Sequence, residues 1–176
     1  PAQGSINDYS HLALRAETKD GVIAKVLNGD LLKDYMGKYG SCCEYRGFGY
    51  GPDAECMAGF SHFSEWSFEG KFPFGTLYLS DPDFPAKAAL TVWNPMIPND
   101  DVNSSIPAAF FDVEIENISD SEIVFTSAMS LRNPFPVSKN RVLPGKTGVF
   151  LQNHGVDLSD IQYGDLTLTG FGEDSS

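Results

Sequence analysis

In "FFDVEIEN" (110–117) apolar and charged residues alternate, with Phe111, Val113 and Ile115 on one side and Asp112, Glu114 and Glu116 on the other. A period of two is the spacing of a β-strand, whose successive side chains leave opposite faces. One face of this segment is buried and one is wet, so Phe111, Val113 and Ile115 are expected to point between two sheets. Strand-like runs recur at "HLALRAE" (11–17), "GVIAKVLN" (21–28), "FSEWSFEGKFPFGTLYLSD" (63–81), "PAKAALTVW" (85–93), "AAFFDVEIEN" (108–117), "EIVFTSAMSLRN" (122–133), "KTGVFLQN" (146–153) and "DLTLTG" (165–170). Asp20-Gly21 between the first two is a hairpin signal. Within 63–81, Gly70 and Gly75 are turn or bulge positions. The longest helix candidate, "GDLLKDYMGKYG" (29–40), ends at a glycine after about two or three turns. This pattern predicts an all-β protein, an antiparallel β-sandwich with at most one or two short helices. A chain of 176 residues is long enough for one sizeable core, so residues 1–176 are read as a single domain.

One stretch resists sheet formation. "NPMIPNDDVNSSIP" (94–107) holds three prolines and a polar run between two strand-like segments. Proline cannot donate to a ladder, so this segment must connect strands rather than pair as one. Loops this long inside a compact domain tend to be disordered or to have a task at the end of a rigid scaffold. Its prolines stiffen it, which suits docking or lining a cleft, although a plain crossover with no other role fits the sequence equally well.

Charge excludes some partners. Twelve Lys and Arg against 24 Asp and Glu leave a formal net charge of −12, which repels phosphate backbones and anionic lipid surfaces. Nucleic acid is therefore not expected as a partner. No apolar run is long enough for a membrane-spanning segment, and the first ten residues lack the features of a signal peptide. The chain begins with Pro1, which suits a processed product or a piece of something longer. Three cysteines, Cys42, Cys43 and Cys56, cannot all pair and do not have zinc-site spacing. They read as free thiols in a reducing, cytoplasmic setting.

The residues offer no recognisable catalytic constellation. His11, His62 and His154 are scattered and read as structural histidines. "GFGYGP" (47–52) has the glycine rhythm of a phosphate loop without its Gly-Lys-Ser/Thr ending, and reads as a turn. Asp53, Glu55, Glu65, Glu69, Asp81 and Asp83 could supply an acid/base pair or a calcium site, but they lack the spacing of a calcium loop and suit an acidic surface. Trp66, Trp93, Tyr45 and Tyr50 could stack on sugar rings, whereas aromatics within strands usually serve the core. No catalytic residue, metal ligand or cofactor is assigned.

The stretch 42–120 resembles the N-terminal domain of glycoside hydrolase family 116, which includes the non-lysosomal glucosylceramidases, also called bile-acid β-glucosidases. The resemblance is carried by "FEGKFPFGTLYLSDPDFPAKAALTVWNPMIP" and "NSSIPAAFFDVEIEN", with Trp93 and Met96 where related chains often have phenylalanine. It implies an N-terminal β-sandwich packed on a larger C-terminal (α/α)6 barrel, which carries a glutamate nucleophile and an aspartate acid/base for retaining hydrolysis. Those two carboxylates belong to the barrel, so no catalytic residue transfers to this chain. The implied partner is the C-terminal catalytic domain of the same parent chain. Asn94, Asn99, Asp100, Asn103, Ser104 and Ser105 are candidates for an interdomain or substrate-rim loop. Two other readings stand beside this one: a free-standing carbohydrate-binding module with Trp66 or Trp93 as a sugar platform, and a purely structural or interaction domain.

Overall fold

The computed structural model describes residues 10–29, 60–161 and 163–172. The helix expected from residue 29 falls, beyond Gly29 itself, outside the described residues, as do Cys42, Cys43, Cys56, Tyr45, Tyr50, Asp53, Glu55 and the turn over 47–52. The strands are β1 (His11–Thr18), β2 (Gly21–Val26), β3 (Glu65–Lys71), β4 (Phe74–Ser80), β5 (Ala86–Trp93), β6 (Phe110–Asn117), β7 (Val124–Ser130), β8 (Ser138–Val142), β9 (Gly148–Asn153) and β10 (Asp165–Thr169), with a one-turn helix α1 (Asp101–Ser104) between β5 and β6. They form three antiparallel sheets, ordered β2-β1-β7, β3-β4-β5-β6 and β10-β9-β8. The all-β, antiparallel reading of the sequence holds.

The chain divides between Ser130 and Leu131 into two compact units. The first is a sandwich of two sheets. Leu14 and Ala16 of β1 face Leu79 of β4 and Ala86, Ala88 and Leu90 of β5, and Phe63 meets Phe84 edge-on with ring centroids 5.2 Å apart. These side chains belong to the alternation that the sequence displays, so burying one face of each strand forms the core. The second unit is the sheet β10-β9-β8, in which Leu151 is buried and the Arg141 guanidinium lies 4.7 Å from the centre of the Phe150 ring.

Local chemistry sets the connections. The hairpin that the Asp-Gly signal predicts forms, with its two-residue turn one position earlier: Thr18 pairs with Gly21 across Lys19-Asp20. In the β3–β4 hairpin, Gly70 and Gly75 are neither turn nor bulge. They pair with each other in the ladder, and the turn falls between them at Phe72-Pro73, whose peptide bond is cis. The Phe68 ring lies across both glycines, in the space their missing side chains leave.

Burial on the inner face of the four-stranded sheet fades along the strands. On β5 it runs from Ala86 (0% exposed) through Ala88 (4%) and Leu90 (9%) to a half-buried Val92. On the neighbouring strand Ile115 and Val113 pack on the core, while Phe111 is 41% exposed. Two of the three residues expected between the sheets are therefore there. Phe111 has the correct parity but lies past the part of the sheet that the core covers.

Candidate functional site

The four-stranded sheet has two ends. Turns 81–85 and 118–123 lie at the proximal end. The Phe72-Pro73 turn and the 94–109 connection lie at the distal end, because Phe74 pairs with Trp93 and Trp93 with Phe110. On the outer face these three residues form an aromatic row across three strands. Trp93 and Phe110 stack at 4.3 Å and 15°, and Phe74 tilts against Trp93 at 5.8 Å. The indole Nε1–H of Trp93 donates to Asp112 Oδ2 at 2.7 Å. Behind the row, the Thr76 and Thr91 hydroxyls meet at 3.0 Å, and the Tyr78 hydroxyl donates to Glu69 at 3.3 Å. The charge of Glu69 holds the Tyr78 phenol above its ordinary value, with burial, the Glu69 hydrogen bond and the charge of Glu114 acting in the same direction.

The 94–107 loop is built by its own side chains. Pro98 and Asn99 occupy the centre of a turn in which Asp100 N–H donates to the Ile97 carbonyl at 3.0 Å. Asn99 has φ 66°, a left-handed conformation that asparagine tolerates well. Asp100 then caps α1, accepting from Asn103 N–H at 3.0 Å and from Asn103 Nδ2 at 2.6 Å. Those Asn103 bonds, the backbone one foremost, hold the Asp100 carboxyl below its usual range. Ser104 Oγ accepts from Ile97 N–H at 2.8 Å and donates to the Ile97 carbonyl at 3.0 Å, while the Ser105 hydroxyl donates to the Asp101 carbonyl. Of the sequence candidates, Asp100, Asn103, Ser104 and Ser105 thus come together and bond within the loop, and Asn94 and Asn99 are exposed beside them. Apolar side chains face outward instead: Met96, Ile97, Val102 and Ile106 are each about half exposed or more.

Trp66 stands apart from Trp93, on the edge strand β3 and 47% exposed. Its indole seats against Gly29, where a Cβ would lie 2.1 Å from Trp66 Cδ1, so the contact requires glycine. Trp93 has Phe110 stacked on it, Phe74 tilted against it, and its N–H taken by Asp112.

The sequence reading missed an inter-sheet ion pair. Lys25 lies on the same face of its sheet as Leu14, its cross-strand partner, and so points inward. Its Nζ meets Asp81 Oδ2 at 2.8 Å and also donates to the His62 carbonyl at 3.1 Å. Asp81 further accepts from Ser64 N–H at 3.0 Å and Asp83 N–H at 2.9 Å. Burial pushes its carboxyl upward, but the Lys25 bond and the backbone donors outweigh this and hold it at about 2. Both side chains are at least nine-tenths buried, and their links join β2, the start of β3 and the β4–β5 turn, the role of a structural clamp.

A cleft of about 430 Å³ opens at the proximal end, lined by Thr18, Asp20, Ile23, Phe84, Ile118 and Ile123 among others. His11 packs on Phe60 with ring centroids 5.0 Å apart. Among the described residues no group of three or more His, Cys, Asp or Glu side chains could hold a metal ion, and no helix is long and apolar enough to cross a membrane.

The first unit is thus an antiparallel two-sheet β-sandwich with an aromatic distal end and a self-capped proline loop, in which the buried Asp81 serves as a structural clamp. The family described as beta-glucosidase 2, glycosyl-hydrolase family 116 N-term matches residues 8–164. The chain belongs to this family, the N-terminal domain of glycoside hydrolase family 116. Comparison with curated proteins gives no match.

Proposed function

We propose that this chain is the non-catalytic N-terminal β-sandwich domain of a retaining β-glucosidase-like or glucosylceramidase-like enzyme, and that it packs on a separate catalytic barrel. The observation that carries this reading is the family match over residues 8–164. Three carboxylates among the described residues are placed against an acid role. Asp81, Asp100 and Asp157 are all shifted downward by hydrogen bonds that favour the ionised form. Retaining hydrolysis needs a general acid shifted the other way, within about 5–5.5 Å of a nucleophilic carboxylate. The 94–107 loop would face the barrel near the substrate entrance, held in shape by Asp100, Asn103, Ser104 and Ser105. A sugar platform at Trp93 is less favoured, because stacking on a sugar needs an open ring face and Phe110 and Phe74 flank this one.

The test is turnover. Highly purified chain incubated with an aryl β-glucoside should release no more product than buffer alone. Release that disappears when a single carboxylate within 1–176 is replaced by its amide would overturn the reading.

A further inference from the structure

We propose that the distal end of the four-stranded sheet is the surface on which the catalytic domain seats, and that phenylalanine rings and apolar loop side chains make the contact; this rests on the reading of the chain as the N-terminal part of a two-domain enzyme. Five phenylalanines gather at this end on both faces of the sheet: Phe72 is 70% exposed, Phe68 66%, Phe74 45%, Phe111 41% and Phe110 39%. At up to about 200 Å² for a whole aromatic side chain, they expose on the order of 500 Å² together. Met96, Ile97, Val102 and Ile106 extend the apolar surface into the loop. Over both faces the five rings alone match the roughly 300–600 Å² of the largest apolar patch on a typical monomer, and the loop side chains add to it. At the proximal end the exposed large apolar residues include the aliphatics Val22, Ile118 and Val124 and a single aromatic from the four-stranded sheet, Trp66, whose neighbour Glu65 pairs with Ser80.

Three further features select the occupant. The inner sheet face loses its cover toward the distal end, so Phe68 and Phe111 are presented from one side while Phe74 and Phe110 are presented from the other. The loop's hydrogen bonds are closed internally, so the end can be desolvated with few polar groups left unpaired. Asp100, Asp101 and Asp112 rim the patch, and a second copy seated there would set these carboxylates against their own counterparts. The fitting partner is apolar at its centre with a neutral or basic rim. On the reading of the chain as the N-terminal part of a two-domain enzyme, the catalytic domain is the partner tethered beside it.

The experiment uses the full-length parent enzyme with Phe72→Ser and Val102→Ser together, and Val22→Ser with Ile118→Ser as the proximal control. All four side chains are more than half exposed, so neither pair removes core contacts. Calorimetry should show wild-type enzyme and the proximal variant unfolding in one coupled transition. The distal variant should split it into two and raise proteolytic cleavage between the domains about tenfold or more. Coupling unchanged in the distal variant, or lost in the proximal one, overturns the proposed surface. Two independent transitions in the wild type overturn the packing reading itself. A dimer of the 176-residue chain in sedimentation that the distal pair abolishes would assign the patch to a second copy and refute the proposal.

Discussion

Replacing Asp81 by asparagine puts the clamp of the sandwich to a quantitative test. The carboxylate accepts from Lys25 Nζ at 2.8 Å, Ser64 N–H at 3.0 Å and Asp83 N–H at 2.9 Å. Asparagine keeps one accepting oxygen but leaves the Lys25 ammonium buried without a counter-charge, which costs about 3–5 kcal/mol when one partner of a buried pair is removed. An independent measure comes from pH. The folded carboxyl titrates at about 2 against an ordinary 3.8, a displacement equivalent to roughly 2 kcal/mol. Because the folded value is the lower one, that stability is fully present above about pH 4 and is lost as pH falls toward 2. Urea unfolding followed by the fluorescence of Trp66 and Trp93 gives the stability of wild type, Asp81→Asn, Lys25→Met and the double variant between pH 7 and 2. The expected result is a loss of about 3 kcal/mol or more for each single change at pH 7 and a double variant less damaged than the sum of the singles. The extra acid sensitivity of wild type should also be missing from Asp81→Asn. A change within about 0.5 kcal/mol, or singles that simply add, would show that the pair is not a clamp.

Ser104→Ala removes both bonds to the Ile97 backbone, and should cost about 1 kcal/mol and loosen the loop, read as faster amide exchange at Ile97 and Asp100. Gly29→Ala sets a methyl into the Trp66 indole, and should destabilise by about 1–3 kcal/mol with a shift of tryptophan emission that Trp66→Phe abolishes. Phe74→Ala removes one ring of the outer row, and should change the near-ultraviolet circular dichroism of Trp93 while the far-ultraviolet strand signal is retained.

Much of the fold was legible because alternation sustained over six to eight residues matches the period of a strand and not that of a helix. β2, β5, β6, β7, β9 and β10 fall inside stretches the pattern marks, and β1 overruns its stretch by one residue, Thr18. β8 was missed, since every residue of "SKNRV" is exposed and a strand without a buried face leaves no alternation to read. The β3–β4 turn was misplaced because glycine is the usual turn residue, whereas here the glycines serve the Phe68 ring and proline makes the turn. Lys25 was overlooked for a similar reason: an inward lysine contradicts the pattern, and its partner lies 56 residues away. The site was legible in part. Three prolines announced a shaped loop, but the sequence pattern does not show that Asp100, Asn103 and Ser104 bond within the loop and leave apolar side chains outside. The clearest signal for the aromatic end was the pair Phe110-Phe111, since consecutive strand residues must send one ring to each face.

The measurement that bears most directly on the account is the melting temperature of the separately expressed catalytic domain as the 176-residue chain is titrated into it. A non-catalytic domain that packs on the barrel stabilises it by mass action, by about 3 kcal/mol at a hundredfold excess over the dissociation constant. The account predicts a saturable rise in melting temperature, with glucoside hydrolysis confined to samples that contain the catalytic domain. A melting temperature indifferent to the chain, or hydrolysis by the chain alone, would contradict it.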